Sequence, residues 1–174
     1  MTPQIASKYL ILSAFVFSAI ASGCDCGVET WKPTAYTVEI PPFFPPMDIP
    51  ADNPMTEEGI QLGRLLFWES SLSLDRSISC GSCHAPSSSF SDPNQFSSGV
   101  NGTLGDRNAS VICNLGWSSS FFWDGRANLV RDQALMPIQD PLEMNETLEN
   151  VVANLSESTL YKNQFIKAFG TDEI

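Results

Sequence analysis

Residues 78–84 read Ile-Ser-Cys-Gly-Ser-Cys-His, and the last five of them form a Cys-x-x-Cys-His motif. This motif is the attachment signal for a c-type haem. Two thiols three positions apart, Cys80 and Cys83, can form thioethers to the two vinyl groups of one haem. His84 then lies under the iron as its proximal ligand. Because His84 is the only histidine of the 174-residue chain, no other imidazole is available for this role.

Two other interpretations of the motif remain open. A thiol redox pair of the thioredoxin type requires a βαβ context, which the sequence does not show. A zinc site requires further Cys or His ligands, and only Cys24, Cys26 and Cys113 remain. The sequence favours haem, since a large apolar cofactor also accounts for a middle region with little helical pattern.

Composition limits the classes of function. Apolar residues make up 43% of the chain and charged residues 17%, which is enough for one domain with a hydrophobic core. The 20 acidic and 9 basic residues give a net charge of −11. Nucleic-acid binding requires clustered Lys and Arg, so the acidic balance argues against it. It equally disfavours adsorption to an anionic membrane surface.

The N-terminus predicts export. Residues 9–21 are uncharged and mostly apolar, follow Lys8, and end in small residues. We interpret residues 1–23 as a signal peptide that directs the protein to the periplasm. The sequence before Cys24 resembles a lipoprotein box, with Ala21 in place of the usual Leu, so a membrane-tethered lipoprotein anchored at Cys24 remains open. A transmembrane anchor or a buried apolar helix is the alternative.

Five cysteines in an exported chain do not form a complete disulfide framework. Cys24 and Cys26 lie at the start of the predicted mature chain. Cys113 has the apolar neighbours Val111 and Ile112, and we expect it to be a small buried hydrophobic residue.

The remaining sequence predicts a mostly α-helical domain with long loops. Residues 24–54 form a Pro-rich, extended lead-in, because Pro disfavours both helices and central strands. We predict helices over 56–68, 127–136, 146–155 and 157–169. Thr56 is the expected N-cap of the first, and Asp124-Gly125 precedes the second. Residues 69–120 are rich in Ser, Gly and Asn and lack helical periodicity, which favours functional loops or packing around a cofactor.

Apolar stripes on these helices are expected to face the core. The expected core residues are Ile60, Leu62, Leu65, Leu66 and Phe67, then Leu148, Val151, Val152 and Leu155, then Leu160, Phe165, Ile166 and Phe169. Gly170 is expected to end the last helix. Residues 171–174 then look like the start of another helix, so we expect the chain to be the front part of a longer protein.

Several further segments accompany the Cys-x-x-Cys-His motif in a fixed order. They are Leu62–Phe67, Ile78–His84, Arg107-Asn108, Phe122–Ala127, Gln133–Ile138 and Pro141–Met144. The series resembles the N-terminal haem domain of the bacterial di-haem cytochrome c peroxidases and their MauG-type relatives, over about residues 55–174. The resemblance implies a cytochrome c-like haem domain with one covalent haem c in this chain, followed by a domain with a second haem.

The resemblance also implies an activity. The N-terminal haem would reduce hydrogen peroxide to water with electrons from a small periplasmic donor, cytochrome c or a cupredoxin. Three alternatives remain open: a monohaem electron-transfer cytochrome, a MauG-type enzyme that oxidises a partner protein, and a haem-binding sensor. A homodimer is also an open expectation.

The resemblance assigns roles by position. Glu143 and Gln133 would line the peroxide side of the haem, with Pro137 nearby. Trp123 would lie between the two haems on the electron path, and Asn108 would be a calcium ligand at the domain interface. The role of Glu143 is chemically sensible, because a carboxylate whose pKa is raised by burial can move a proton between the two peroxide oxygens. Gln133 can hydrogen-bond the bound peroxide.

Structural interpretations of the same residues stay open. Glu143 fits a solvated acid near a helix start, Gln133 a surface residue, Trp123 a large core residue and Asn108 a turn residue. Arg126 fits a partner of either Asp124 or a haem propionate.

One feature departs from the family pattern. Many such peroxidases carry a second His in the loop after the haem motif, but here residues 98–102 read Ser-Gly-Val-Asn-Gly. We therefore expect a five-coordinate or water-ligated haem, with Met136 or Met144 as the competing sixth ligand.

Overall fold

The computed structural model of the protein describes residues 31–174. The predicted signal peptide, Cys24 and Cys26 lie outside the described residues. Five helices follow in order: α1 Glu57–Phe67, α2 Cys80–Cys83, α3 Val130–Gln139, α4 Leu148–Glu157 and α5 Thr159–Phe169. Short 3-10 turns and long loops connect them, and β structure within residues 31–174 is limited to four isolated bridges. The prediction of a mostly α-helical domain with long loops is confirmed.

The end signals of the helices follow the sequence. The Thr56 hydroxyl oxygen accepts a hydrogen bond from the Gly59 backbone N–H at 3.0 Å and caps α1. Gly170, at φ +78°, ends α5 in the left-handed conformation that Gly adopts most readily.

The predicted bounds of the second predicted helix, 127–136, which corresponds to α3, are wrong by three residues at each end. The Phe121 N–H donates to the Ala127 carbonyl at 2.8 Å and closes a turn, so α3 begins only at Val130. At its other end α3 continues to Gln139 and includes Pro137.

The hydrophobic core joins α1, α4 and α5. Its buried members are Leu62, Leu72, Ile138, Met144, Val151, Leu155, Tyr161 and Ala168. Five residues that we expected in the core are exposed: Leu65, Val152, Leu160, Ile166 and Phe169. On α5 the buried face instead runs through Tyr161, Phe165 and Ala168, at helical spacing. Tyr161 is accommodated because its hydroxyl donates to the Glu69 carboxylate at 2.6 Å.

Cys113 is exposed, so the expectation of a buried residue is wrong. Its neighbours Val111 and Ile112 line a cavity, and Asn114 turns the chain at φ +53°. The two β-branched residues of this loop therefore line the cavity, whereas Cys113 lies outside it and is exposed.

The described part of the lead-in lies along the helical domain. The Trp31 indole N–H donates to the Lys167 carbonyl at 3.0 Å, and the Phe44 ring packs edge-on against Trp117 at 4.8 Å between centroids. Asp52 pairs with Arg131 at 2.8 Å. None of the helices within residues 31–174 has the length and apolar character needed to cross a membrane.

Candidate functional site

A cavity of about 560 Å³ lies among the long loops and α3. Its volume is in the range of cofactor and ligand sites. All seven residues singled out as site candidates line it: Cys80, Cys83, His84, Asn108, Trp123, Gln133 and Glu143. The structure thus brings together residues that are up to 63 positions apart in sequence (143 − 80).

Helix α2 presents the two cysteines. The Ser79 N–H donates to the Ser82 hydroxyl at 3.0 Å, which closes the single helical turn. Gly81 is buried against the Trp68 ring, and a Cβ there would overlap it. Both thiols are free, and burial raises the pKa of each. Two neutral, unpaired thiols on one turn fit covalent attachment of haem.

His84 follows α2 directly, and its orientation is set by a tight loop. Its Nδ1 lies 3.2 Å from the Phe90 carbonyl oxygen. Ser89 and Phe90 both adopt left-handed φ values, +57° and +58°, which turn the chain back toward the imidazole. A hydrogen bond from Nδ1–H to a carbonyl is the usual partner of a metal-binding histidine, because it leaves Nε2 as the ligand. The residues therefore fit a haem bound through Cys80, Cys83 and His84.

Glu143 is partly buried in the wall of the same cavity. Burial raises the pKa of its carboxyl, and the nearby charges of Asp140 and Asp106 raise it further, while Arg126 opposes them. The structure thus provides a carboxyl group that holds its proton at higher pH than a solvated one. Such a group can act as both acid and base.

The backbone around Glu143 is fixed by two neighbouring loops. The Val100 N–H donates to the Glu143 carbonyl at 2.8 Å, and the Leu74 N–H donates to the Met144 carbonyl at 3.0 Å. Gly99 approaches so closely that a Cβ would collide with the Leu142 carbonyl oxygen and lie 2.7 Å from that of Glu143. The loop without histidine therefore holds the carboxylate segment in place. The sequence does not predict this role, because its only signal there is a Gly in the loop.

Helix α3 contributes the side-chain amide of Gln133 to the cavity wall. Gln133 and Pro137 are one helical turn apart, and both line the cavity. Gln133 is half-buried rather than a free surface residue.

The turn after Ser120 forms another wall. Phe122 has φ +66°, which is strained for a bulky residue. The Arg126 guanidinium lies 3.5 Å from the centroid of the Phe122 ring and pairs with Asp124 at 3.1 Å. Of its two expected partners, the structure shows Asp124. Sequence reasoning missed Phe122 because a strained backbone leaves no signal in a single sequence.

Trp123 and Asn108 contact each other at the cavity rim. The Trp123 indole N–H donates to the Asn108 carbonyl at 2.8 Å, and Trp123 is 68% exposed, so it is not a core residue. The Asn108 amide group donates to the backbone carbonyls of Asp92 and Asn94 at 3.0 and 2.6 Å.

The two methionines differ. Met144 is buried and lines the cavity, whereas Met136 lines only a smaller adjoining one. Within residues 31–174, the structure has no cluster of three or more His, Cys, Asp or Glu side chains able to hold a metal ion.

Comparison with known proteins agrees with this geometry. The sequence model of the di-haem cytochrome c peroxidase family matches residues 57–174. The methylamine utilization protein MauG of Methylophilus methylotrophus is 35% identical over 81% of this chain and 44% of its own length. The cytochrome c551 peroxidase of Nitrosomonas europaea is 37% identical over 75% of this chain and 39% of its own length.

A crystal structure gives the same result. A MauG-like protein associated with microbial copper homeostasis superposes with a TM-score of 0.72 and 35% identity, over 78% of this chain and 41% of that protein. The chain spans less than half the length of these relatives. The motif order, the helical fold and the match over residues 57–174 place this chain in the di-haem cytochrome c peroxidase family.

Proposed function

We propose that this chain is a haem c domain that reduces hydrogen peroxide to water, with electrons from a small c-type cytochrome or cupredoxin. The observation that carries the proposal is the shared cavity of Cys80, Cys83, His84 and Glu143. The residues expected to hold the haem and a carboxyl group of raised pKa thus line one cavity, as peroxide chemistry requires.

Three residues would hold one haem c in this chain. The Cys80 and Cys83 thiols would form the thioethers, and His84 Nε2 would bind the iron while Nδ1–H donates to the Phe90 carbonyl. The bound haem would supply an iron that binds peroxide and passes electrons. The overall reaction is balanced as H2O2 + 2 H⁺ + 2 e⁻ → 2 H2O.

Glu143 would transfer the proton during the reaction. Its carboxylate would accept the proton of one peroxide oxygen and return it to the other, so that the O–O bond breaks with water as the leaving group. Gln133, on the neighbouring wall, would hydrogen-bond the peroxide and hold it in line.

Trp123 would serve the electron path, because its large exposed ring lies at the cavity rim.

We further propose that the Asn108 side-chain oxygen is a ligand of calcium. The Ser91 hydroxyl lies 3.2 Å from that oxygen but only 2.7 Å from the Ala109 carbonyl, which is its closer acceptor. The Asn108 oxygen is therefore only weakly engaged by Ser91. A second haem in a following domain would complete the pattern that the family resemblance implies.

We propose that the haem is five-coordinate or water-ligated on the peroxide side. His84 is the only histidine, and Met136 does not line the haem cavity. Met144 is the remaining competitor. We expect a high-spin ferric spectrum for this haem, and a low-spin spectrum that becomes high-spin in Met144→Leu would contradict the proposal.

A MauG-type reaction is the second candidate. The identity to MauG proteins supports it, and so does the exposed Trp123 ring, which could pass oxidising equivalents to a partner protein. The two candidates differ in the electron source: a small donor in one, side chains of a protein substrate in the other.

Residues 1–23 would direct export to the periplasm, and Cys24 would carry the lipid if the lipoprotein box is used. If the box is used, the mature N-terminus is Cys24 and is blocked by the lipid. Intact mass of the purified protein measures this, and a free N-terminus there would rule out lipidation.

Steady-state kinetics tests the main proposal. The full-length, haem-loaded protein should oxidise two equivalents of a reduced small cytochrome for each hydrogen peroxide consumed. A protein that exchanges electrons with the cytochrome but leaves peroxide intact would instead be an electron carrier.

A further inference from the structure

A second cavity of about 290 Å³ adjoins the haem cavity. The two cavities share Phe122, Arg126, Pro137, Asp140 and Glu143 as lining residues. The smaller one is completed by Met136 and Gln139, two exposed residues of α3. Its lining therefore includes both Glu143, which the haem cavity shares, and two solvent-exposed side chains.

Phe122 lines this smaller cavity from a closed turn. The Phe122 backbone is held in the left-handed region by a turn that the Phe121–Ala127 hydrogen bond closes. A strained aromatic residue persists only where the surrounding structure holds it, and such residues concentrate at functional sites. Arg126 stacks on the ring at 3.5 Å and is tied to Asp124.

The same ion pair is extended on its far side. Arg107 contacts Asp124 Oδ2 at 3.0 Å, an oxygen that Arg126 also contacts at 3.1 Å, so Asp124 joins two arginines.

Met136 contributes an adaptable side chain to the lining of the smaller cavity. Met136 is 38% exposed and has an unbranched thioether side chain with three rotatable bonds. Because Met136 does not line the haem cavity, its side chain can control passage without touching the haem face.

We propose that the smaller cavity is the route by which hydrogen peroxide reaches Glu143, and that Phe122 and Met136 limit the size of the hydroperoxide that passes. This inference rests on the proposed peroxidase function. The route carries one positive side chain, Arg126, beside the acidic Asp140 and Glu143, so a small neutral molecule meets no barrier of one sign. The substrate class is thus hydrogen peroxide rather than bulky alkyl or aryl hydroperoxides.

Substitution of Met136 tests the route in the full-length, haem-loaded protein. The measured quantities are the stopped-flow rate constants of ferric haem with hydrogen peroxide and with cumene hydroperoxide. The second-order rates of cyanide and 4-phenylimidazole binding give a readout that needs no turnover. Leu135 is the matched control, because it is an equally exposed neighbour on α3 that lines neither cavity.

In Met136→Ala we expect the rates for cumene hydroperoxide and 4-phenylimidazole to rise by about tenfold, while those for hydrogen peroxide and cyanide stay within about twofold. In Met136→Trp all four rates should fall, those of the bulky molecules most. Leu135→Ala and Leu135→Trp should match the parent protein. Equal bulky-to-small ratios in Met136→Ala and the parent, or an equal change in Leu135→Ala, would overturn the proposal.

The outcome is separable from that of the proposed function. Glu143→Gln should slow the reaction with hydrogen peroxide, because the group proposed to move its proton is lost. If Glu143→Gln has no effect on peroxide, the proposed function fails, whereas the ligand-binding rates of the Met136 variants still decide whether this cavity is the route.

Discussion

At the scale of single residues, Glu143 is placed at a cost to stability. Burial and the acidic neighbours raise the pKa of its carboxyl in the folded state above the ordinary 4.5. The folded protein then binds this proton more tightly than the unfolded chain, so the free energy of unfolding falls as pH rises above 4.5 and through the raised pKa. We expect Glu143→Gln to raise the melting temperature at pH 7, by an amount that shrinks toward zero as pH falls below 4.5. The exposed Glu39→Gln is the control. If Glu143→Gln shifted the melting temperature equally at pH 7 and below pH 4.5, the result would contradict this account.

Gly99 is the residue that the backbone of Glu143 depends on. A Cβ at Gly99 would collide with the 142–143 carbonyls, whereas a Cβ at Gly63 on α1 meets no atom within 4 Å. We expect Gly99→Ala to lower the free energy of unfolding by about 1–3 kcal/mol, as overpacking does, and to slow the peroxide reaction. Gly63→Ala should instead be neutral or raise it by about 0.5–1 kcal/mol, since Ala favours helices. Urea unfolding measures both, and equal effects would refute the close approach.

At the scale of elements, the loop that orients His84 stores backbone strain. Ser89 has φ +57°, whereas Ser88 lies in a 3-10 turn with ordinary φ. We expect Ser89→Gly to raise the free energy of unfolding by about 1 kcal/mol, because Gly adopts the left-handed region without penalty. Ser88→Gly should lower it. Thermal unfolding distinguishes the two, and a loss of stability in Ser89→Gly would contradict the observed loop geometry.

Local signals located the helices better than they located their faces. Thr56 and Gly170 marked helix ends correctly because capping depends on nearby residues alone. The start of α3 was misplaced because a non-local turn, closed between Phe121 and Ala127, excludes the helix there. On α5 the buried Tyr161 was missed because its burial depends on Glu69, which is 92 residues away in sequence.

At the scale of the whole molecule, the lead-in supports the cavity from outside. Phe44 packs on Trp117, whose indole N–H donates to the Pro45 carbonyl at 2.8 Å, and the neighbouring Leu115 lines the haem cavity. We expect Phe44→Ala to lower the free energy of unfolding by about 1 kcal/mol and to speed amide hydrogen exchange in residues 114–118. Phe43→Ala is the matched control, because Phe43 is 98% exposed. Equal exchange rates in the two variants would show that the lead-in gives no support.

The residues of the candidate site could be predicted from the sequence more fully than the backbone contacts that position them. The haem motif and the family resemblance pointed to seven residues that line one cavity in the structure. Phe122, Gly99 and the Phe90 carbonyl could not be found from the sequence, because their contributions depend on backbone conformation and on close approach of distant loops. The exposure of Cys113 was likewise set by which side of its loop faces the cavity.

The central claim is that Glu143 makes this haem cavity reactive toward peroxide. The most direct measurement is the stopped-flow rate constant for hydrogen peroxide with the ferric, haem-loaded full-length protein, compared between Glu143→Gln and the exposed control Glu39→Gln. We predict a loss of about 10²- to 10⁴-fold in Glu143→Gln, the usual contribution of a general acid–base group, and no change in Glu39→Gln. A Glu143→Gln rate equal to that of Glu39→Gln would contradict the account.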